Sequence, residues 1–124
     1  MASPKAVGER SEGMVLAALL RAGNVVLQPF GDNQRYDLVV DEGDGRFIRI
    51  QCKTARKIGD TIKFSVCSTA TRGQKKRDYR GQIELFGIYS PDLDKVYLVP
   101  VDDVGTSEVT LRLGASKNNQ SKNV

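Results

Sequence analysis

RYDLVVDEGDGRFIRIQCK, residues 35–53, contains two apolar runs separated by the short polar link DEGDG. Strand-forming residues on both sides of a link rich in Gly and Asp predict two antiparallel strands joined as a hairpin. Because side chains alternate along a strand, we expect Arg49, Gln51 and Lys53 to share one face of the second strand, while Cys52 points to the other. The rest of the fold is expected to assemble around this hairpin.

Asp37 lies at the start of the first strand of this hairpin. Antiparallel pairing places the beginning of YDLVV beside the end of RIQCK. Asp37 is therefore expected close to Gln51 and Lys53. An acid, an amide and an amine would then meet at one end of the hairpin.

A helix is predicted before the hairpin, over residues 8–22 (GERSEGMVLAALLRA), with Gly23 as its C-terminal stop. Its apolar stripe consists of Val15, Leu16, Leu19 and Leu20. Glu12 lies one turn before this stripe, on the same side of the helix. If the stripe packs on the sheet, Glu12 can approach Asp37.

Further strands are predicted around this core, and Pro29 places the first of them at an edge or an end. They are 24–30 (NVVLQPF), 61–68 (TIKFSVCS), 83–89 (IELFGIY), 95–101 (KVYLVPV) and 108–113 (EVTLRL). A helix followed mostly by strands predicts an α/β or α+β chain with a mixed sheet. We expect residues 1–113 to form a single domain and residues 114–124 to be a flexible polar tail.

Composition limits the class of protein. With 124 residues, 40% of them hydrophobic and 27% charged, the chain has the profile of one soluble globular domain. It contains no apolar run near the roughly 20 residues that a membrane span needs, and residues 1–13 lack the apolar core of a secretion signal. We expect a cytoplasmic protein in which Cys52 and Cys67 are buried thiols and form no disulfide.

Histidine is absent, which excludes Ser-His-Asp and Cys-His catalysis and histidine zinc sites. Chemistry must then use carboxylates, amines, amides, hydroxyls or thiols. Glu12 and Asp37 supply hard oxygen ligands of the kind Mg²⁺ prefers, and the backbone carbonyl of Cys52 could add another. A metal-bound water is a nucleophile for phosphodiester hydrolysis, and Lys53 could position that water or stabilise the developing negative charge.

The motifs Gly8-x-x-x-Glu12, Tyr36-Asp37-Leu-Val-Val and Ile50-Gln-Cys-Lys53 resemble the PD-(D/E)XK nuclease superfamily. The likeness extends over about residues 8–100 and is most specific in 28–54, where the chain is similar to group I intron-associated homing endonucleases. Archaeal Holliday-junction resolvases look similar at a greater distance. This resemblance implies a restriction-endonuclease-like α/β core, in which an N-terminal helix packs on a central mixed sheet and the hairpin carries the active site.

The same resemblance implies that Glu12, Asp37, Gln51 and Lys53 are the catalytic set, with the first three and the Cys52 carbonyl as metal ligands. Tyr36 replaces the proline of the family motif, and Gln51 replaces its usual acid. An amide offers an oxygen without a charge, so metal affinity should fall unless another group compensates. Because the intron-associated group uses glutamine at this position, the resemblance implies that the change is tolerated.

The basic residues indicate where DNA would bind. The net charge is +4, and the cationic side chains concentrate in residues 46–63 and 72–80. The predicted phosphate contacts are Arg35, Arg46, Arg49, Lys57, Arg72, Lys75, Lys76, Arg77 and Arg80. Tyr79, inside the most basic segment, is expected to pack.

The sequence therefore predicts a Mg²⁺-dependent DNA endonuclease, with Mn²⁺ as a substitute metal, that cleaves double-stranded or branched DNA. Cutting both strands with one small site per chain requires at least two copies, so a homodimer or homotetramer is expected. Three alternatives stay open. They are a junction resolvase, a nuclease-like DNA-binding module that has lost catalysis, and a protein-interaction domain of a mobile element.

Overall fold

A computed structural model describes residues 3–31, 34–66, 79, 81–104, 108–112 and 122–123. Most of the basic segment predicted to bind DNA, residues 72–80, lies outside these ranges, as does Cys67. Nearly all of the predicted tail lies outside them too, and the division at residue 113 stays a prediction. None of the helices in the described part of the chain is long and apolar enough to cross a membrane.

Helix α1, Pro4–Arg21, begins earlier than the apolar pattern predicts. Ser3 caps it by accepting a hydrogen bond from the Ala6 amide at 3.2 Å. Pro4 fits the first turn because the N–H group that proline lacks would have no acceptor within the helix there. The helix ends where predicted, since Gly23 adopts a φ of 90°. Residues 4–7, which precede the predicted start of the helix, are therefore also helical.

The buried stripe of α1 differs in part from the predicted one. Its fully buried members are Ser11, Val15 and Leu19, and Leu20 is 54% exposed. The prediction for Leu20 was wrong because a helix turns by about 100° per residue. A side chain next to a central buried leucine points away from the sheet.

The larger sheet in the described residues has six strands, in the spatial order β1-β2-β3-β6-β7-β9. They are β1 Val25–Leu27, β2 Leu38–Gly43, β3 Arg46–Thr54, β6 Leu85–Ser90, β7 Lys95–Pro100 and β9 Lys122–Asn123. Strands β3 and β6 pair parallel and the other neighbours pair antiparallel. The predicted hairpin is β2–β3, and β1 lies at the edge, as Pro29 indicates.

A second sheet of three antiparallel strands also lies within the described residues. It consists of β4 Arg56–Ile58, β5 Thr61–Ser65 and β8 Glu108–Arg112. The alternating pattern of residues 61–68 correctly predicts a strand, but this strand does not join the central sheet. Its apolar face packs instead against Phe86 and Ile88 of β6.

The two faces of the larger sheet have different coverings. Helix α1 packs Val15 and Leu19 against Leu38, Val40 and Ile50 on one face. The smaller sheet packs Ile62 and Phe64 on the other. The predicted α/β arrangement, a helix on a mixed sheet, is confirmed.

Gly87 on β6 sets how closely α1 approaches the sheet. A Cβ atom at this position would lie 2.7 Å from Val15 Cγ1 and 3.1 Å from Ile50 Cγ2. Real Cβ atoms do not come this close to neighbours, so glycine is needed for the helix to lie where it does. Since Gly87 is paired with Cys52, this contact is next to the end of the hairpin.

Candidate active site

Asp37 is fixed across the end of the hairpin by two contacts with β3. Its backbone amide donates to the Ile50 carbonyl at 2.9 Å. Its carboxylate oxygen Oδ2 accepts a hydrogen bond from the Cys52 amide at 3.0 Å. The structure therefore brings Asp37 to the Gln51–Lys53 segment, as the antiparallel register predicts.

Glu12 and Asp37 line the same surface cleft, which has a volume of about 330 Å³. Its other lining residues are Gln28, Pro29, Gly31, Gln34 and Tyr36. Glu12 comes from the helix and Asp37 from the hairpin. The predicted approach of these two carboxylates is therefore present in the structure.

The surroundings of the two acids raise the pKa of both. The pKa of Glu12 is raised first by desolvation and then by the negative charge of Asp37. Desolvation also raises the pKa of Asp37, while the Cys52 amide and the Lys53 ammonium act to lower it. Two partly desolvated carboxylates that repel each other form a site where a cation is favoured.

Lys53 extends from the same end of the hairpin and is half-buried. Its influence on the pKa of Asp37 means that the ammonium lies within electrostatic reach of that carboxylate. Its Nζ donates to the hydroxyl of Tyr79 at 3.4 Å. The Lys53 ammonium is therefore held between an acid and a phenol.

Tyr79 is a site residue whose role the sequence pattern does not predict. Its ring packs, as expected, edge-on against Phe86 with centroids 5.5 Å apart, and the residue is 5% exposed. In addition, the guanidinium carbon of Arg35 lies 3.9 Å from the ring centroid and Lys53 Nζ lies 5.0 Å from it. No local signal marks such a contact, because Lys53 and Tyr79 are far apart in the chain.

Gln51 and Cys52 complete the predicted set. Nε2 of Gln51 donates to the Cys52 carbonyl at 3.3 Å, so two neutral oxygen-bearing groups lie together beside Asp37. The Cys52 thiol is free and half-buried, not fully buried as predicted. Burial and the charges of Asp37 and Glu12 raise its pKa well above the usual range, so the thiol is protonated and is not a nucleophile.

A buried hydrogen bond joins the helix to the end of the hairpin. The hydroxyls of Ser11 and Thr54 are 2.5 Å apart, and Ser11 is 1% exposed. Ser11 precedes Glu12 and Thr54 follows Lys53. The bond therefore couples the backbone that carries the acid to the backbone that carries the amine.

The predicted DNA-contact residues have different surroundings. Arg46 and Lys57 are exposed, and Arg35 lies over Tyr79. Arg49 forms a salt bridge and further hydrogen bonds with Glu84, and its backbone amide donates to Glu84 Oε1 at 2.6 Å. Five predicted contacts lie outside the described residues: Arg72, Lys75, Lys76, Arg77 and Arg80.

The donor set fits a hard divalent cation. The described residues contain no group of three or more His, Cys, Asp or Glu side chains that could hold a metal. They do bring two carboxylates to one cleft, and the Cys52 backbone amide donates to one of them. Mg²⁺ is usually held by one or two carboxylates and retains several waters, so this pair of acids fits it.

Comparison with known proteins identifies the family to which a chain with this fold and this pairing of acids with a lysine belongs. The sequence model of the PD-(D/E)XK endonuclease family matches residues 2–124. Because the match spans almost the whole sequence, the chain belongs to this family, and the resemblance seen in the sequence is confirmed.

Among solved structures, the chain is similar to a bacterial homing endonuclease, I-Ssp6803I. The two are 26% identical with a TM-score of 0.70, and the alignment covers 97% of this chain and 83% of the other. This likeness confirms the restriction-endonuclease-like fold. The search of curated proteins finds no match.

Proposed function

We propose that the protein is a Mg²⁺-dependent DNA endonuclease of the homing type or a related mobile-element nuclease. The observation that carries this proposal is the convergence of Glu12 and Asp37 on one cleft, with the Lys53 ammonium near enough to Asp37 to oppose part of the rise that burial causes in the pKa of that acid. Family membership and the similarity to a bacterial homing endonuclease support it. Mn²⁺ should substitute for Mg²⁺ because its ligand preferences are similar.

Glu12 and Asp37 would hold the metal, with the Gln51 amide and the Cys52 carbonyl as neutral oxygen donors. When bound, the ion would make a water more acidic and would screen the charge of the scissile phosphate. Asp37 keeps its orientation through the Cys52 amide, which occupies one carboxylate oxygen. Lys53 donates a hydrogen bond to the attacking water or to the developing oxyanion.

DNA would be held by cationic side chains outside this cleft. Arg46 and Lys57 are exposed, and Tyr79, which belongs to the basic part of the sequence, accepts a hydrogen bond from Lys53. Contacts of this kind neutralise phosphates and make affinity dependent on salt. Because one chain carries one set of catalytic groups, double-strand cleavage requires a homodimer or homotetramer.

The test is cleavage of supercoiled plasmid, a genomic DNA library and a four-way junction, with and without Mg²⁺ or Mn²⁺. We expect metal-dependent cleavage by the wild type, and loss of it in Asp37→Asn and Lys53→Ala with the fold retained. Lys95→Ala, an exposed lysine on β7, is the matched control and should cut normally. Equal cleavage by wild type, Asp37→Asn and Lys53→Ala would overturn the proposal.

One observation favours a second candidate, a DNA-binding module without catalysis. Gln51 is neutral, so the site has one charge fewer than the usual family motif provides. This alternative expects salt-dependent DNA binding, no cleavage with either metal, and binding unaffected by Lys53→Ala. Cleavage of the junction without cleavage of linear duplex would instead identify a resolvase.

A further inference from the structure

The contacts of Tyr79 connect two cationic side chains of the site. Its hydroxyl accepts a hydrogen bond from Lys53 at 3.4 Å, and its ring lies 3.9 Å from the Arg35 guanidinium carbon. Lys53 Nζ is also 5.0 Å from the ring centroid. A cation is attracted to the face of an aromatic ring, and more strongly when water is excluded. One phenol therefore restrains both cations.

Tyr79 is itself held firmly. Its ring meets Phe86 edge-on, an arrangement that aromatic pairs prefer. Its backbone carbonyl accepts from the amides of Gln82 and Ile83 at 3.0 and 3.2 Å. With 5% of the residue exposed, the ring has little room to turn. It can serve as a fixed point for flexible neighbours.

Lys53 needs such a fixed point if it is to act in catalysis. A lysine side chain has a flexible four-carbon stem and loses rotamer entropy when it is held in one position. An ammonium displaced by about 1 Å from its productive position can lose much of its effect. The Tyr79 hydroxyl gives this ammonium a defined partner beside Asp37.

Arg35 gains a defined position from the same ring. It lies between Gln34 and Tyr36, both of which line the cleft shared by the two acids. A guanidinium stacked on an aromatic face directs its donors within its own plane, and that planar fork suits a phosphate. Arg35 is therefore next in the chain to two residues of the cleft, while its guanidinium carbon lies over the Tyr79 ring.

We propose that Tyr79 is a positioning residue of the nuclease, whose hydroxyl fixes the Lys53 ammonium and whose ring fixes the Arg35 guanidinium for contact with a DNA phosphate. This inference rests on the proposed endonuclease function. It assigns separate tasks to two parts of one side chain. The hydroxyl serves the chemical step through Lys53, and the ring serves DNA binding through Arg35.

Three substitutions separate these tasks. Tyr79→Phe removes the hydroxyl and keeps the ring, while Tyr79→Leu removes both. Tyr89→Phe is the matched control, because Tyr89 is also buried and its hydroxyl donates to Asp94 at 2.9 Å, on the helix-covered face of the sheet. Each variant is measured for its cleavage rate at saturating DNA, its dissociation constant for DNA and its thermal midpoint.

For Tyr79→Phe we expect the saturated cleavage rate to fall roughly 10-fold, the size of effect that partners of catalytic groups usually have, with DNA affinity unchanged. Tyr79→Leu should show the same fall in cleavage rate. It should also bind DNA about 3- to 10-fold more weakly, as expected for one weakened phosphate contact. Tyr89→Phe should match the wild type in rate and affinity. A normal rate for Tyr79→Phe while Lys53→Ala is inactive would overturn the proposal and leave the endonuclease function standing.

A second measurement does not depend on cleavage. In protein labelled at lysine Cε and Nζ, the Lys53 signals are identified by their loss in Lys53→Arg. We expect Tyr79→Phe to move the Lys53 Nζ signal, and Tyr79→Leu to remove the ring-current shift of its Cε protons as well. Unchanged Lys53 signals in both variants would overturn the positioning role, even if the wild type cuts no DNA.

Discussion

The Asp37 carboxylate and the Cys52 backbone amide form a hydrogen bond of 3.0 Å across the end of the β2–β3 hairpin. A backbone donor cannot rotate away as a side chain can, so it fixes one carboxylate oxygen. The pKa of Asp37 is nevertheless raised by burial, which means that this hydrogen bond offsets only part of the desolvation. The chain therefore maintains a poorly solvated acid at the position that we propose as a metal ligand.

Asp37→Asn should separate the chemical role of this acid from its structural role. The amide oxygen of asparagine can still accept from Cys52, but it carries no charge for a cation. We expect cleavage to fall by on the order of 100-fold or more, with an unchanged circular dichroism spectrum. Asp37→Ala, which leaves the buried Cys52 amide unpaired, should in addition lose about 1–3 kcal/mol in urea unfolding.

The raised pKa values of Glu12 and Asp37 predict a particular dependence of stability on pH. Because the folded state binds protons more tightly than the unfolded state, the free energy of unfolding should fall as pH rises from the usual carboxyl pKa through the raised one. Asp37→Asn should remove much of this fall. At neutral pH that variant is expected to be at least as stable as the wild type.

Urea midpoints of wild type and Asp37→Asn, measured between about pH 4 and pH 7, test this expectation. Glu84 affects stability with the opposite dependence on pH, because Arg49 lowers its pKa. Both proteins contain Glu84, so its contribution to stability cancels in the comparison. Added Mg²⁺ should stabilise the wild type at neutral pH and not the variant, because a ligand stabilises only a state that binds it. If the free energies of unfolding of the two proteins changed in parallel with pH, burial would not raise the pKa of Asp37.

Gly87→Ala should disturb the packing of α1 on the sheet. The new methyl group would lie 2.7 Å from Val15 Cγ1, so the helix or the strand must move, at a cost of about 1–3 kcal/mol. Gly13→Ala is the control, since a Cβ there meets nothing within 4 Å and alanine favours a helix by roughly 0.5–1 kcal/mol. In urea unfolding, Gly87→Ala should lower the free energy of unfolding and Gly13→Ala should raise it.

Arg46 and Arg49 should contribute differently to DNA binding, although the sequence predicts both as phosphate contacts. Arg46 is exposed, so Arg46→Ala should lower the slope of log affinity against log salt by about 1. Arg49 is engaged by Glu84, so Arg49→Ala should leave this slope almost unchanged. An equal loss of slope in both variants would mean that the Arg49–Glu84 pair opens when DNA binds.

The parts of the fold and site that the sequence predicts are those encoded by local periodicity. The hairpin, the edge position of β1 and the placement of Asp37 beside Gln51 all follow from alternation and turn chemistry over fewer than about 20 residues. The approach of Glu12 follows from helical spacing once packing on the sheet is assumed. These relations depend on short stretches, in which few competing arrangements exist.

The relations that the sequence does not predict join distant segments. The Ser11–Thr54 bond, the contact of Tyr79 with Lys53 and the separate sheet that includes β5 depend on how elements pack, which no periodicity encodes. Leu20 is exposed although the apolar pattern predicts it to be buried. A leucine at the border of an apolar stripe can be buried or exposed, so the pattern does not decide its position. The DNA-contact assignments stay predictions, since charge identifies candidates without placing them against a duplex.

The parallel pairing of β3 with β6 also bears on how a cell produces this enzyme. It joins Ile50 to Leu85, so the hairpin acquires its neighbour only after a long intervening segment has been synthesised. Pairings between remote positions form slowly because the chain entropy lost on closing the loop comes first. We expect the nascent chain to emerge from the ribosome with its hairpin formed, and Lys53 to gain its contact with Tyr79 only once the later segment has been synthesised.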